Sequence, residues 1–258
     1  MNNEIEIIRY PQIPYLNAFV IGIEYRTPHL HRDFEIDLVL EGSLNLHCRG
    51  ETATARTGEL FLLNPNEPHE LRSADGASVL CLQIAPNFFA QFLPADRHVR
   101  FGTHTPYAQF ETGSRTACNR FLLEFAEYYF RKPPSYQLRC IGNLCSAWEI
   151  FLNGLPVKTL TDEELFTDEK KTQRLLRLLD FTDKNYTRKI RLQDFAEQEG
   201  LSLFHLSRFV KENLNMTFQE YVTMLRFHLA CKLLLSSKKS LLEIAMECGF
   251  SDTRYLYA

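Results

Sequence analysis

Polar and basic side chains near residue 205 are of the kinds that contact nucleic acid. Arg208 offers a fork of donors that can bind guanine in a bidentate manner or clamp a phosphate. Lys211 is either a phosphate contact or a solvated charge, and His205 could simply brace a turn. Phe204 could lie against a thymine methyl group or a sugar, with a partly buried surface phenylalanine as the equal alternative. These residue types predict a DNA-contacting helix, provided that one outward face presents them.

The element that would position these side chains is a bend that occurs twice. Residues Asp194–Ser202 and Glu243–Ser251, offset by 49 positions, share one pattern: acidic, apolar, Ala, three variable residues, Gly, apolar, Ser. The alanine lets the next helix cross closely, and the glycine takes a positive φ and ends the first helix. The serine caps the second helix, with Asp252 as the alternative cap in the second copy. A single copy would be explained by any helix that ends in a glycine cap. Two copies in register favour a tandem helix-turn-helix, whose second helix enters the major groove.

The helix that begins at Ser202 is expected to sort its residues by face. The expected buried stripe comprises Leu203, Leu206, Phe209 and Val210, and the expected outward or marginal residues are Phe204, His205, Ser207, Arg208 and Lys211. The equivalents after the second bend are Thr253, Arg254 and Tyr257. Capping boxes at Thr217–Glu220 and Ser240–Glu243 predict a long helix between the bends and a start for the second unit. The long helix would span roughly 28 Å, close to the ~34 Å between successive major-groove faces.

Charge is divided unevenly along the 258 residues. From Lys171 onward 14 Lys/Arg face 10 Asp/Glu, a balance of +4, while the first 170 residues hold 15 against 22, a balance of −7. A mildly basic C-terminal part suits contact with phosphates. Seven cysteines without a C-x-x-C pair indicate reduced thiols rather than a disulfide framework or a zinc site. With no apolar stretch near ~18 residues and no secretory signal, we expect a cytoplasmic protein without a membrane segment.

The first part of the chain has the pattern of short strands. Five apolar segments between Phe19 and Ile84 are separated by turn signals, namely FVIGIEY, FEIDLVLE, SLNLHC, ELFLLN and SVLCLQI. The turn signals lie at 41–43, 49–51, 57–58, 64–66 and 74–76. This spacing is typical of an antiparallel barrel or sandwich.

Two amphipathic helices follow, from about Arg115 to Pro133 and from about Gln137 to Leu152. They could seal the barrel or pair with a second copy of the chain. The predicted fold is therefore α+β with two domains, an antiparallel β-barrel with two following helices and an all-α tandem helix-turn-helix. The boundaries are 1–112 for the barrel, 113–153 for the helical packing or dimerisation segment, 154–170 for a linker and 171–258 for the DNA-binding domain.

The last part of the chain resembles the DNA-binding domain of the AraC/XylS family of bacterial transcription regulators. The resemblance covers about residues 171–258 and is carried by HLSRFVKENLNMT, YVTMLRFHLACKLLL and SLLEIAMECGFSDTRYL. It implies that Phe204, Ser207 and Arg208 are base-reading positions and that the helix after Ser251 supplies a second set. The family pattern continues with two more helices beyond the position of Ala258, so the second unit is expected to be incomplete.

Residues 19–85 resemble the cupin signature, which fits the sensor domain found ahead of this DNA-binding domain. The matching residues are His29, His31, Glu35 and Gly42 in the first half, and Gly58, Pro65 and His69 in the second half. In a metal-binding cupin His29, His31, Glu35 and His69 would be ligands, and three imidazoles with one carboxylate suit Fe, Mn, Ni or Zn. A polar pocket for a small effector is the preferred interpretation, and structural histidines are the third. We therefore assign no cofactor and no metal, and keep these four residues as effector-pocket candidates.

The leading hypothesis is a sequence-specific transcription regulator that responds to a small effector. Sugars are the commonest effectors in the family that the chain resembles, so a carbohydrate is the expected class. Double-stranded DNA, RNA polymerase and a second copy of the chain are the expected partners. The alternative from another class is a metal-dependent cupin enzyme, an isomerase or dioxygenase, and a protein-binding module is a third.

Overall fold

The computed structural model divides the chain into two units, Met1–Asp168 and Glu169–Ala258. It describes residues 6, 8–48, 50–89, 98–214 and 216–253. The strands are β1 (Leu16–His29), β2 (Phe34–Glu41), β3 (Ser43–Cys48), β4 (Glu51–Arg56), β5 (Leu60–Leu63), β6 (His69–Ile84), β7 (His98–Phe101) and β8 (Val157–Leu160). The helices are α1 (Thr112–Arg131), α2 (Tyr136–Gly154), α3 (Asp162–Asn185), α4 (Leu192–Glu199), α5 (Leu203–Leu214), α6 (Phe218–Ser236) and α7 (Leu241–Glu247).

Strand β6 organises the antiparallel sheet of the first unit. The strand order is β4-β3-β6-β2-β5, with β1 also paired to β6. β6 has 16 residues and pairs with two strands along the same edge. Its first residues pair with β3, and its last residues pair with β2. β1 pairs along nearly the whole of β6, from His29 opposite His69 to Leu16 opposite Ile84.

Strand β2 is buried on both faces, and its side chains alternate between the two faces. On β2, Ile36 and Leu38 belong to a core that also contains Phe125 of α1 and Trp148 of α2. Val39, on the other face, belongs to a second core made only of strand residues. A sheet that covers one of its own faces in this way must curl on itself. Helices α1 and α2 therefore seal the sheet from outside. This is the first of the two arrangements that their sequence pattern left open.

Two details of the sheet differ from the sequence prediction. Residues 51–56 form β4, although ETATAR lacks the apolar alternation that marked the other strands. The predicted turn at 74–76 lies inside β6, where the pairing registers with β1 and β2 shift. A bulge tolerates the same residue types as a turn, so the local signal could not separate them.

Residues 154–170, predicted as a linker, contain a strand and the start of a helix. β8 pairs with β7, placing Val157 opposite Phe101 and Leu160 opposite His98, and α3 begins at Asp162. The N–H of Gly102 also donates to the carbonyl of Pro156 at 2.8 Å. These bonds join segments far apart in sequence, which a short-range pattern cannot reveal. The boundary between the units falls after residue 168, within α3.

The second unit consists of helices in the order that the sequence predicted. α6 has the predicted capping box, in which the Thr217 side chain accepts from the Glu220 N–H, and its 19 residues extend about 28 Å. Tyr221, Val222 and Leu225 of α6 are buried. Among the described residues, no helix combines the length and apolar character that crossing a membrane requires.

Candidate functional site

The first bend joins α4 to α5 as its sequence predicted. Gly200 has φ of 64°, and its N–H donates to the carbonyl of Ala196. The N–H of Leu201 donates to the same carbonyl at 2.9 Å. Ser202 Oγ accepts from the N–H of His205 at 3.3 Å, so Ser202 caps α5.

The second bend, at the end of α7, repeats the bond from the apolar residue to the alanine carbonyl 49 residues later. Gly249 has φ of 88°, and the N–H of Phe250 donates to the carbonyl of Ala245 at 2.9 Å. Ala245 and Phe250 lie in a small core together with Ala230 of α6. Both predicted bends are therefore confirmed.

Helix α5 buries one stripe and leaves the predicted contact residues outside. Leu206, Val210 and Leu214 form the buried stripe. Phe204 is 74% exposed, and the other exposed predicted residues are Ser202, His205, Ser207, Arg208 and Lys211. Leu203, predicted in the stripe, is instead 45% exposed, because it is the first residue of α5 and lies at the helix end.

Arg208 has an ionic partner that the sequence analysis did not name. Its Nε donates to Glu212 Oε1 at 2.6 Å, one helical turn along, and both side chains are mostly exposed. The spacing of four residues was the available signal. An exposed pair of this kind is weak, so Arg208 can exchange Glu212 for a phosphate or a base edge.

Only some of the residues predicted to contact DNA after the second bend are among those that the structure describes. Ser251 is exposed and Thr253 is half-buried. Arg254 and Tyr257 lie outside the described residues.

In the first unit, His29, His31, Glu35 and His69 meet as the sequence predicted. All four are at most 3% exposed, and their ligating atoms lie within 4.8 Å of one another. The sheet register places His29 directly opposite His69. Glu35 is one residue out of phase with Ile36, so it points to the inner face of the curled sheet. Glu35 Oε2 is 3.0 Å from His31 Nε2, and Glu35 Oε1 is 3.5 Å from His69 Nε2.

Each of these three imidazoles is held by a backbone carbonyl. The Nδ1 atoms of His29, His31 and His69 lie 2.8, 3.0 and 2.8 Å from carbonyls of residues 27, 33 and 67. A carbonyl can only accept, so each Nδ1 carries the proton and donates it. The Nε2 atoms consequently face the centre of the cluster.

Burial and the neighbouring groups divide the charge within this cluster. Burial would raise the pKa of Glu35, but His31 and His69 outweigh it and hold that pKa well below its ordinary value. Burial and the charge of Glu35 raise the pKa of Asp37 well above its usual range. Burial and the adjacent His69 lower the pKa of His29. For His31, Glu35 outweighs burial and raises the pKa. The surroundings of the cluster thus favour the ionised form of Glu35 and the neutral form of Asp37.

Gln83 and Asp37 are the buried polar neighbours that the sequence analysis missed. Gln83 Nε2 donates to Glu35 Oε2 at 3.0 Å and to Glu6 Oε1 at 2.9 Å. Asp37 could have been found, because it follows Glu35 by two positions on the same face of β2. Gln83 could not, because it reaches Glu35 only through the pairing of β2 with β6.

In a second cluster, formed by Cys48, Glu67 and His104, the central carboxylate has several hydrogen-bond donors of its own. The Glu67 carboxylate accepts from the Asn64 N–H at 3.0 Å, from Arg100 at 3.0 Å and from His104 at 2.9 Å. With its lone pairs taken by these donors, Glu67 acts as the centre of a structural network.

Two family models match the chain. The model described as the AraC-like ligand binding domain matches residues 20–116, and the model described as a helix-turn-helix domain matches residues 195–258. The first range contains the curled sheet, and the second contains both bends.

Curated relatives match almost the whole chain. It is 28% identical over 258 residues to the HTH-type transcriptional activator RhaS of Mannheimia succiniciproducens, covering 98% of this chain and 89% of that protein. It is 23% identical over 236 residues to the uncharacterized HTH-type transcriptional regulator YdeC of Bacillus subtilis, covering 88% and 79%. A solved structure of ToxT from Vibrio cholerae aligns over 94% of this chain and 91% of that chain, with a TM-score of 0.42 and 15% identity.

The family matches fall on the curled sheet with its buried polar centre and on the doubled bend with the exposed face of α5. The chain belongs to the AraC family of transcription regulators, with a ligand-binding domain followed by a helix-turn-helix DNA-binding domain.

Proposed function

We propose that this regulator recognises specific DNA sequences through the exposed face of α5 and through the helix that follows the second bend. The observation that carries the proposal is the doubled bend, which closes each first helix with the same bond to an alanine carbonyl and, at its first copy, leaves Phe204, Ser207 and Arg208 exposed. Arg208 reads a base edge, and Lys211 contacts a phosphate. Phe204 packs on a thymine methyl group or a sugar. In the second unit Thr253, Arg254 and Tyr257 have the corresponding roles.

Selection of bound DNA from a random pool tests this proposal with the full chain. The expected product is a pair of short motifs about one helical turn apart, one for each reading helix. Enrichment without any motif, at an affinity equal to that for random duplex, would overturn the proposal. The salt concentration is kept fixed, since phosphate contacts dominate non-specific affinity.

The curled sheet is the proposed site of the effector. The buried polar side chains of His29, His31, Glu35 and His69 support it, since polar groups enclosed in a sheet are the means by which a pocket orients a small ligand. Binding there changes the DNA affinity of the helical unit, a coupling of about 1–3 kcal/mol being usual for such regulators. A carbohydrate is the proposed class. A panel of sugars should contain one that raises the thermal midpoint, and a flat response to all of them would remove that class.

We further propose that the chain activates transcription in the cytoplasm by contacting RNA polymerase, as a homodimer. Activation is supported by the relative from Mannheimia succiniciproducens, which is named a transcriptional activator. Exposed Leu123, Phe130 and Leu138 on α1 and α2 support a dimer through residues 113–153. Light scattering of the full chain and of Leu138→Glu tests this. A monomeric mass for the unmodified chain at micromolar concentration would contradict it.

Regulation is preferred to the alternative of a metal-dependent cupin enzyme because the matching relatives are named as regulators of transcription. An enzyme would require the four polar residues to hold an ion and to leave room for a substrate on it.

A further inference from the structure

We propose that a change in the effector pocket reaches the DNA-binding unit through Arg100, which ties the loop behind the pocket histidines to Asp168 of α3. Residues 64–68, between β5 and β6, form this loop, the Glu67 loop. The proposal rests on the proposed function for its regulatory meaning, and it names the route from the effector site to the reading helix. The route consists of contacts within each unit and of α3, which begins in the first unit and ends in the second.

Two histidines of the pocket hold the Glu67 loop. His69 Nδ1 donates to the Glu67 carbonyl at 2.8 Å, and the Asn66 N–H donates to the His31 carbonyl at 2.8 Å. Asn66 has φ of 60°, a left-handed conformation that costs free energy in residues other than glycine and persists where surrounding contacts hold it. The loop conformation thus depends on its bonds to the pocket, so a ligand that shifts either histidine also shifts Glu67.

Arg100 lies between two carboxylates that differ in exposure. Its Nη2 donates to Glu67 Oε1 at 3.0 Å, and its Nη1 donates to Asp168 Oδ2. The Glu67 side chain is 1% exposed and the Asp168 side chain is 36% exposed. Removing the cation from a buried carboxylate costs far more free energy than breaking an ion pair that water can solvate. Arg100 therefore follows Glu67 when the loop moves, and the bond to Asp168 is the one that breaks.

Helix α3 connects Asp168 with the first bend of the DNA-binding unit. Asp168 is the last residue of the first unit, and α3 continues to Asn185 in the second. Within the second unit, Arg177 of α3 donates to Glu199 from Nε at 2.6 Å and from Nη2 at 2.7 Å. Glu199 is the last residue of α4 and precedes Gly200, the glycine of the first bend. The helix that Arg100 holds or releases is therefore also the helix that supports the bend before α5.

A second ion pair joins the strands β7 and β8 to α3 and provides a matched control. Lys158 lies opposite Arg100 in the pairing of these strands, and its Nζ donates to Glu164 Oε1. Glu164 also accepts from the Thr161 N–H at 3.0 Å, at the start of α3. Both pairs hold the first turns of α3, but among the described residues only the pair of Arg100 continues to the Glu67 loop. Lys158→Ala therefore loosens α3 without cutting the route.

The test measures hydrogen exchange of the α3 amides at residues 163–172, in the full chain without DNA. His69→Gln removes the donor to the Glu67 carbonyl, because the glutamine amide takes the position of Nε2, and Asp168→Ala removes the far end of the route. Each should accelerate exchange about fivefold, and the double variant should not exceed either one. For His69→Gln with Lys158→Ala the two factors should multiply, since independent contacts add in free energy. Multiplied factors in both pairs, or unchanged exchange in His69→Gln, would overturn the proposal.

A conservative variant separates the lost hydrogen bond from general damage to the pocket. In His69→Asn the amide nitrogen takes the position of Nδ1 and donates to the Glu67 carbonyl, so exchange in α3 should return to the slow rate. Fast exchange in His69→Asn would contradict the role of this bond. Far-ultraviolet circular dichroism establishes that each variant is folded.

The route is also testable from its far end, without a change in any histidine. Coupling between two sites is reciprocal, so Asp168→Ala should also accelerate exchange at the Asn66 amide, which donates to the His31 carbonyl. Unchanged exchange there would overturn the route even if His69→Gln did not fold.

Affinity for the selected DNA site then gives the regulatory meaning. His69→Gln should change that affinity, and in a chain that already carries Asp168→Ala it should cause no further change. Non-additive exchange in a chain that selects no DNA motif would sustain the route and refute the proposed function. Multiplied exchange factors in a chain that selects its motif would refute the route and sustain the proposed function.

Discussion

The two bends of the helical unit have the same sequence pattern and the same closing bond to an alanine carbonyl, but their glycines have different surroundings. A Cβ added at Gly200 would meet nothing within 4 Å, whereas one at Gly249 would lie 2.5 Å from the carbonyl oxygen of Thr187. Both glycines need a positive φ, and only Gly249 also needs the absence of a side chain. A repeat in sequence therefore specifies a repeated backbone and leaves each copy to pack independently.

The largest expected effect is that of Gly249→Ala. The left-handed backbone costs a non-glycine residue about 1 kcal/mol, and the overlap with the Thr187 backbone adds about 2 kcal/mol. Hydrogen exchange of the full chain measures this at the amide of Phe250, whose bond to Ala245 closes the bend. Protection there should fall by about 3 kcal/mol.

Gly200→Ala is the matched variant at the first bend. Only the backbone conformation opposes it, so the amide of Leu201 should lose about 1 kcal/mol of protection. Equal losses at the two bends would show that the contact between Gly249 and Thr187 has no energetic weight.

The starts of α4 and α7 extend the comparison with a smaller effect. At α7 the Ser240 side chain accepts from the Glu243 N–H at 3.3 Å, and the Glu243 carboxylate accepts from the Ser240 N–H at 2.8 Å. At α4 the equivalent residue is Arg191, which has no acceptor, and only Asp194 accepts from the Arg191 N–H at 2.9 Å. Ser240→Ala should cost α7 about 1 kcal/mol of stability, and Arg191→Ala should cost α4 less than about 0.5 kcal/mol. A similar loss in both variants would mean that the side-chain cap contributes nothing.

The smallest expected effect is on the pH dependence of α7. Hydrogen bonds from the backbone and side chain of Ser240 lower the pKa of Glu243 below its ordinary value of 4.5. The contribution of this cap is therefore complete above pH 4.5 and is lost as pH falls through the lowered pKa. Exchange protection of α7 should decline in acid, and Glu243→Gln should flatten that decline. An unchanged slope in the variant would assign the acid sensitivity to other carboxylates.

Sequence predicted the parts of this molecule that depend on neighbours along the chain. A glycine bend, a serine cap and a helical stripe each involve residues within a few positions, so Gly200, Ser202 and Leu206 are found where the pattern placed them. Leu203 was misassigned because a helical stripe does not specify how far a helix end is covered.

In the first unit, the arrangement of the site depends on strand pairing between distant parts of the chain, which the sequence pattern does not predict. The four cupin-like positions were recognised by resemblance, but their meeting depends on the register that sets His29 opposite His69. The same non-local pairing brings Gln83 to Glu35 and β8 to β7, and both were missed. The state of the histidine lone pairs follows only from atomic positions, since it depends on which backbone carbonyl each ring reaches.

The central claim is that α5 reads DNA, and the affinity of Arg208→Ala for the selected site tests it most directly. Lys158→Ala is the control, because Lys158 forms an exposed pair with Glu164, outside both α5 and residues 113–153. Arg208→Ala should weaken binding by about 1–3 kcal/mol and relax the preference at one base pair, while Lys158→Ala should change neither. Unchanged affinity and unchanged preference in Arg208→Ala would contradict the claim.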